Sequence, residues 1–380
     1  MSLRADLVSP RLTAQLFRAR RLYERAKRTL LPSQRRERIQ FDRLRDTFYR
    51  NFWAETATAV GASVEPLGYG YLRIARAGRW TLVRRSEVML DDHLSLELCG
   101  NKPLVYRLLA EYGLSASRHC EMTVTSLERG YEFLRQAGDR AVVVKPASGT
   151  GAGHGVTTGI RDTRALGRAA QRAAAFCPDL LVEEEVAGVS YRLLYLDGEL
   201  IDAIRRDSPT VTGDGQHTIA ELIALENRGR LAASPIRSLH PITIDMDCRG
   251  YLEAQGQQLD STPAVGERIA VKRVVNENAA PDNQRVLEQV HPRVAELGTR
   301  IVKTFGLSLV GVDLITADIA VPLEETGGVM NELNTTPGLH HHVLVAEPAR
   351  RTPVGERILE YVFSEGSGRP TFPMARKQAG

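Results

Sequence analysis

Nowhere in the 380 residues does a run of eighteen apolar side chains occur, so the sequence predicts no membrane-spanning helix. The opening MSLRADLVSP has no apolar signal region, which argues against secretion and makes the cytoplasm the expected location. Cysteine is scarce: Cys99, Cys120, Cys177 and Cys248 lie far apart with no CxxC pair. That spacing speaks against a zinc ribbon or a disulfide framework and leaves small buried apolar residues as their expected role. No internal repeat and no extended low-complexity tract precede the tail.

What is present is the composition of a globular enzyme, 43% hydrophobic and 25% charged, in a chain longer than one ordinary domain. The net charge of +4 is unevenly spread, since residues 1–50 carry fourteen Arg or Lys against five Asp or Glu and the remainder is mildly acidic. Leu12, Leu16, Leu22 and Tyr23 interleave with those arginines at helical spacing, which favours amphipathic helices with a solvated basic face over a nucleic-acid arm. Residues 1–60 read as two or three helices broken near Pro32, and residues 68–90 as strands turning at Ala77 and Gly78, together a separate N-terminal domain.

The chain is organised around residues 141–159, AVVVKPASGTGAGHGVTTG. Residues 141–144 are too short and too β-branched for a helix, and Lys145 at the strand's end needs an anion to face. Gly149, Gly151, Gly153 and Gly155 permit positive φ and close backbone approach, so that several N–H groups and the Lys145 point charge can grip phosphate oxygens. The stretch matches neither GxxxxGK[ST] nor an unbroken GxGxxG, and a mobile glycine turn beside a surface lysine is the plainer alternative.

From Asn101 a helix places Leu104, Leu108 and Leu109 on one face and Lys102 in its first turn, where a cation is unfavourable unless it meets an anion. Residues 180–186, LLVEEEV, form a strand whose alternation puts Glu183 and Glu185 on one side and Glu184 on the other, so one face must be wet or occupied by ligand. A turn at Asp197 and Gly198 makes a hairpin, with Arg205 and Arg206 at its end. Thr218 and Glu221 have capping-box spacing, residues 230–268 are rich in turn signals, and residues 286–305 carry the clearest helical period. Two later strands supply oxygen ligands: residues 309–315 bury Asp313, and residues 328–334 place Glu332 and Asn334 on one face. Two carboxylates and an amide suit magnesium shared with phosphates, against a structural hydrogen-bond network as the alternative.

With these residues in view, the sequence resembles the ATP-grasp superfamily, and within it the ATP-grasp half of cyanophycin synthetase and related amino-acid ligases. The likeness runs from residue 101 to 345 through NKPLVYRLL, VVVKPASG with GHGV, LVEEEVAGVSYRLL, VTGDGQHTIAELI, LDSTPAVGE, LVGVDLI and NELNTTPGLHHH. It implies an α+β fold of two lobes clasping ATP. The expected divisions are an N-terminal domain at 1–98, a first lobe at 99–186, a second at 187–365 with an insertion at 207–268, and a loose tail at 366–380. Lys102, Lys145 and Ser148 with the glycines would hold phosphates, residues 183–186 (Glu183, Glu184, Glu185, Val186) would meet adenine, and Asp313, Glu332 and Asn334 would hold magnesium, two ions in all. Lys272 matches a family basic residue near the transferred phosphate, and Asn276 a nearby asparagine. The chemistry implied is carboxylate activation by ATP followed by amine attack, which requires no protein nucleophile.

Departures bear on the substrate. Ser190 stands where relatives place a ribose-binding acid, His154 and His340 replace arginines, and residues 274–283 replace a glycine-rich stretch. Arg192, Arg205 and His340, with residues 274–283, are therefore expected to form the acceptor pocket, a guanidinium holding a substrate carboxylate. Residues 340–342, read as extended chain, would send successive imidazoles to opposite faces, so zinc is not expected, while His340 or His342 would touch substrate. A Mur-ligase-like half is lacking, so polymer synthesis is not expected. The expected substrates are an amino acid or small peptide; the alternative is a peptide or protein recruited by the basic N-terminal helices, and self-association into a homo-oligomer is left open.

Overall fold

The computed structural model describes residues 32–114, 116–150, 153–364 and 372–373. Residues 1–31 and most of the tail lie outside these, so the helices expected before Pro32 and the looseness of the tail are not addressed by it. The first helix among the described residues, α1 (Pro32–Ala59), runs 28 residues, and proline suits its first turn because its missing N–H has no partner there anyway. Phe41, Phe48, Tyr49 and Trp53 form its buried stripe. Strands β1 (Ser63–Gly68), β2 (Tyr71–Arg76), β3 (Arg79–Arg84) and β4 (Glu87–Val88) follow in an antiparallel sheet, with Ala77 and Gly78 at positive φ making the expected turn.

Helix α2 (His93–Cys99) leads into the first lobe, which contains α3 (Lys102–Glu111), β5 (His119–Thr123), α4 (Leu127–Ala137), β6 (Val142–Pro146), β7 (Thr157–Ile160), α5 (Thr163–Ala173) and β8 (Asp179–Glu184). Asn101 caps α3 by accepting from the Leu104 N–H at 3.1 Å, which leaves Lys102 at the first helical position. The buried residues of α3 are Lys102, Pro103, Val105, Tyr106 and Leu109; Leu104 and Leu108, expected on the apolar face, are only partly covered. The sheet order is β5-β8-β6-β7. Val142, Val144, Leu180 and Val182 face α4 and α5, so alternation turns Val143, Lys145 and Glu183 to the other side, toward the cleft.

The second lobe is built on β9 (Val189–Leu196), β10 (Glu199–Arg206), β13 (Asn283–Arg285), β14 (Leu309–Thr316) and β15 (Val329–Asn334), antiparallel in the order β13-β10-β9-β14-β15. Its insertion comprises β11 (Thr210–Thr212), α6 (Ile219–Ala232), α7 (Met246–Ala254) and β12 (Arg268–Ala270), and Thr218 and Glu221 form the capping box read in the sequence. The helix expected over 286–305 is shorter: α8 (Pro292–Thr304) begins at Pro292, which a helix interior would not tolerate, and a 3-10 turn at Leu287–Gln289 precedes it. One face of the sheet, with Leu193, Tyr195, Val310 and Val312, packs on α3 and α8. The opposite face is divided along its length. Leu194, Leu196 and Leu309 enter a core with Trp53, Ile74 and Val83, whereas Ser190, Arg192, Asp313 and Glu332 form a polar end.

Residues 340–342 are not extended: α9 (Leu323–Thr326) and β15 are followed by a helical turn, α10 (His340–Val343), with all three imidazoles buried. The chain closes with α11 (Val354–Phe363) packed on α1, and β16 (Phe372–Pro373) pairs with β3, Phe372 stacking on Trp80 at 4.4 Å. Mixed helices and antiparallel sheets make this an α+β fold. No helix among the described residues is long and apolar enough to cross a membrane.

Candidate active site

A cavity of about 510 Å³ lies between the lobes, its wall drawn from β6, the glycine loop, the segment after β8, the end of β10 and the polar end of the second-lobe sheet. Lys145 projects from the end of β6 and is almost fully buried, as expected of a lysine in an apolar strand, and its partners are Glu183 at 2.7 Å and the Tyr106 hydroxyl, to which it donates at 3.0 Å. Lys102 meets Glu332 across the cleft at 3.2 Å. Both lysines line the cavity.

Gly149, Gly153 and Gly155 all have positive φ. At Gly153 a Cβ would stand 2.5 Å from Val274 Cγ1, so the loop approaches the far wall as closely as a glycine allows. Gly151 lies outside the described residues. Ser148 turns from the wall toward Cys177, 3.6 Å from its Sγ. Of the three glutamates, Glu183 is held by Lys145, Glu184 by Arg118 and Arg140 at 2.6 Å each, and Glu185, beyond the end of β8, by the Gly159 N–H at 2.6 Å and by Arg273. All three, with Val186, border the cavity.

Asp313 is the most committed residue of the site. Its carboxylate accepts from Arg192 Nε and Nη2 at 2.7 and 2.8 Å and from Arg206 Nη2 at 2.9 Å, with all three side chains buried. Burial works to raise its pKa, but the two guanidiniums hold it below the ordinary carboxylate value. Burial pushes Arg206 down to about 10 against the pull of Asp313, and the neighbouring Arg192 adds to the fall. Arg206 also donates to Ser190 Oγ at 2.8 Å and reaches Asn276 Oδ1 at 3.4 Å, while its buried Nε has no hydrogen-bond partner among the described residues.

Arg205, expected in the pocket, lies outside it: its exposed guanidinium pairs with Asp207 at 2.9 Å. Its neighbour Arg206 occupies the wall instead. Arg192 reaches the site only through Asp313, not by lining it. Lys272 is likewise drawn away, donating to Thr243, Glu277 and Asp245 at 2.9, 3.0 and 3.1 Å; burial lowers its pKa but those carboxylates raise it above the ordinary value. Asn276 lines the cavity, with Val274 and Val275 beside it. His340 Nδ1 shares a hydrogen bond with the Tyr49 hydroxyl at 3.0 Å and His342 Nδ1 sits 2.7 Å from Asp202, so both imidazoles are tied into the scaffold and neither lines the cavity.

Asp313 and Glu332 are cross-strand partners, and Asn334 follows two residues on opposite Gly311. Asn334 Nδ2 is buried without a hydrogen-bond partner among the described residues, and Asn334, unlike Asp313 and Glu332, does not line the cavity. Among the described residues no three His, Cys, Asp or Glu side chains gather as a metal site. The donor set of two carboxylates and one amide nevertheless fits magnesium, which takes few protein oxygens when phosphates supply the rest.

No family model matches the chain. Its sequence is 30% identical to cyanophycin synthetase of Trichormus variabilis over 292 residues, 75% of this chain and 32% of that protein. It is 31% identical to the bifunctional glutathione biosynthesis protein of Streptococcus agalactiae over 282 residues, 72% of this chain and 37% of that one. The chain thus spans about a third of the length of the curated relatives it matches. Among solved structures, the bifunctional glutathione synthetase from Pasteurella multocida superposes with a TM-score of 0.51 at 23% identity, covering 79% of this chain and 41% of that one. The chain thus has the ATP-grasp fold and is similar in sequence to cyanophycin synthetase and to the bifunctional glutathione biosynthesis protein.

Proposed function

We propose that the chain is an ATP-dependent carboxylate–amine ligase that forms an amide bond on an amino acid or small peptide through an acyl phosphate. The observation that carries this reading is the buried Arg192–Asp313–Arg206 cluster, of which Asp313 and Arg206 line a cavity together with Lys102 and Lys145. Around Asp313 and Glu332 stand three cations, Lys102, Arg192 and Arg206. A bare divalent ion would add to that positive excess, whereas one arriving with a polyphosphate reduces it. Asp313, Glu332 and Asn334 would hold the magnesium, which neutralises charge on the phosphate oxygens when bound. Lys102, Lys145 and the glycine-loop amides would bind the phosphates, and residues 183–186 the adenine.

A carboxylate oxygen of the substrate attacks the terminal phosphorus and ADP leaves; an amine then attacks the acyl carbon, phosphate departs with the electron pair of the broken bond, and the amine loses a proton. Phosphoryl transfer needs positioning and charge neutralisation more than a nucleophile, which is what this chain's buried cations provide. Arg206, a cavity-lining guanidinium, is placed to meet an anionic oxygen of the acyl phosphate. On this reading the lobes divide near residues 99–186 and 187–365.

With magnesium, ATP and hydroxylamine in place of the amine, the protein supplied with its carboxylate should yield a hydroxamate together with ADP and phosphate. Production of AMP and pyrophosphate would mean adenylation and would overturn the reading.

A further inference from the structure

The glycine loop and the segment that faces it across the cavity belong to different lobes, and both must stand at a fixed separation for a nucleotide to fit. One buried carboxylate touches the frame of both. Asp247, in the first turn of α7, accepts through Oδ1 from the Thr158 hydroxyl at 3.0 Å and through Oδ2 from the backbone N–H groups of Arg273 and Val274 at 3.2 and 3.1 Å. Thr158 lies in β7, the strand that leaves the glycine loop, while Arg273 and Val274 lead into the cavity-lining stretch that contains Asn276. Val274 is the residue against which Gly153 closes. Beside it, Asp245 makes a parallel bridge, to Arg172 of α5 in the first lobe at 3.2 Å and to Lys272 at 3.1 Å.

We infer that the first turn of α7 is a clasp between the lobes, and that Asp247 is a positioning residue that sets the distance between the glycine loop and residues 273–276. It acts through Thr158 and two amides and not on substrate. Asp247 is 3% exposed and is not among the residues that line the cavity, so it has no access to a ligand there. Burial raises the pKa of this carboxyl, and the Val274 amide and Lys272 oppose the rise. The inference rests on the nucleotide reading of the cavity, but it is tested by binding alone.

The test uses the full chain and a non-hydrolysable magnesium–ATP analogue, with Thr158→Val, Asp247→Asn and their combination. Losing one hydrogen bond to a charged acceptor predicts roughly ten- to a hundredfold weaker binding. Thr158→Val should reach the lower end of that range, Asp247→Asn should lose less because its amide accepts from the two N–H groups and donates to the Thr158 hydroxyl, and the double variant should be weakest because that amide NH2 then has no partner. Hydrogen exchange should rise together in residues 153–158 and 273–276 in each variant, with far-UV circular dichroism unchanged. If the unaltered protein binds no nucleotide, the functional reading fails first. Should it bind while Thr158→Val binds equally well, or should exchange rise in only one segment, the clasp is refuted; Thr158→Val decides this even if Asp247→Asn does not fold.

Discussion

Two buried guanidiniums share one carboxylate at Asp313, and removing either has a different consequence. Arg192 makes a two-point contact behind the site, so its loss leaves a buried acid half-compensated and acts first on folding. Arg206 makes one contact with Asp313 and lines the cavity. Arg206→Met should therefore lower kcat/KM by about a hundredfold or more, in line with a charge-assisted hydrogen bond in a dry site. Arg205→Met removes only an exposed pair with Asp207 and should stay within about threefold. Steady-state kinetics of the two variants check this, and an equal effect of both would place the acceptor on the opposite face of β10.

The same pair of arginines shows where an element is harder to read than its residues. The turn at Asp197 and Gly198 announces the β9–β10 hairpin, and an unbroken hairpin would set Arg205 opposite Ser190, on the face that carries Arg192. A bulge between Leu200 and Asp202 displaces the rest of β10 by one residue, so that Arg206 pairs with Ser190 and Arg205 with Tyr191. A one-residue shift exchanges the two faces of a strand, and no signal in ELIDAIRR marks it. Lys145, Asp313 and Glu332 were legible because a charge inside an apolar strand demands a partner; Lys272 was misplaced because its partners, Asp245 and Glu277, come from an insertion whose packing leaves no local pattern. The glycine loop carries its own test. Gly149 and Gly153 both have φ of +69°, but a Cβ meets nothing within 4 Å at Gly149 and Val274 at 2.5 Å at Gly153. Alanine at either adds left-handed strain of about 1–2 kcal/mol to the loop, and only Gly153→Ala adds a collision. Calorimetric titration with the ATP analogue should show a loss of about tenfold for Gly149→Ala and clearly more for Gly153→Ala. Equal losses would mean that the loop does not close on Val274.

At the scale of the whole molecule, the N-terminal helix and sheet read in the sequence as a domain of their own, yet their core is not their own. Trp53, Ile74 and Val83 share one cluster with Leu194, Leu196 and Leu309 of the second-lobe sheet and with Ile358 and Val362 of α11. Asp91 reinforces the seam by accepting from the Ser308 and Leu309 N–H groups at 2.6 and 3.2 Å. Tyr49 extends it toward the site through His340, at the turn that follows the strand bearing Glu332 and Asn334. A seam of this kind couples stability to function, since the apolar end of the sheet face is covered by α1 and the polar end of the same face carries Asp313. Trp53 is fully buried and donates to the Arg85 carbonyl at 2.7 Å, so Trp53→Ala should cost about 3–5 kcal/mol. Because the cluster is continuous, that loss should appear in the lobe that holds Asp313 and not as a local melting of α1. In urea, nucleotide binding and far-UV ellipticity should fall together in the variant, at a lower midpoint than in the unaltered chain. Binding that survives while a separate early transition removes helical signal would show that the N-terminal unit folds on its own and that the shared core contributes little to the site.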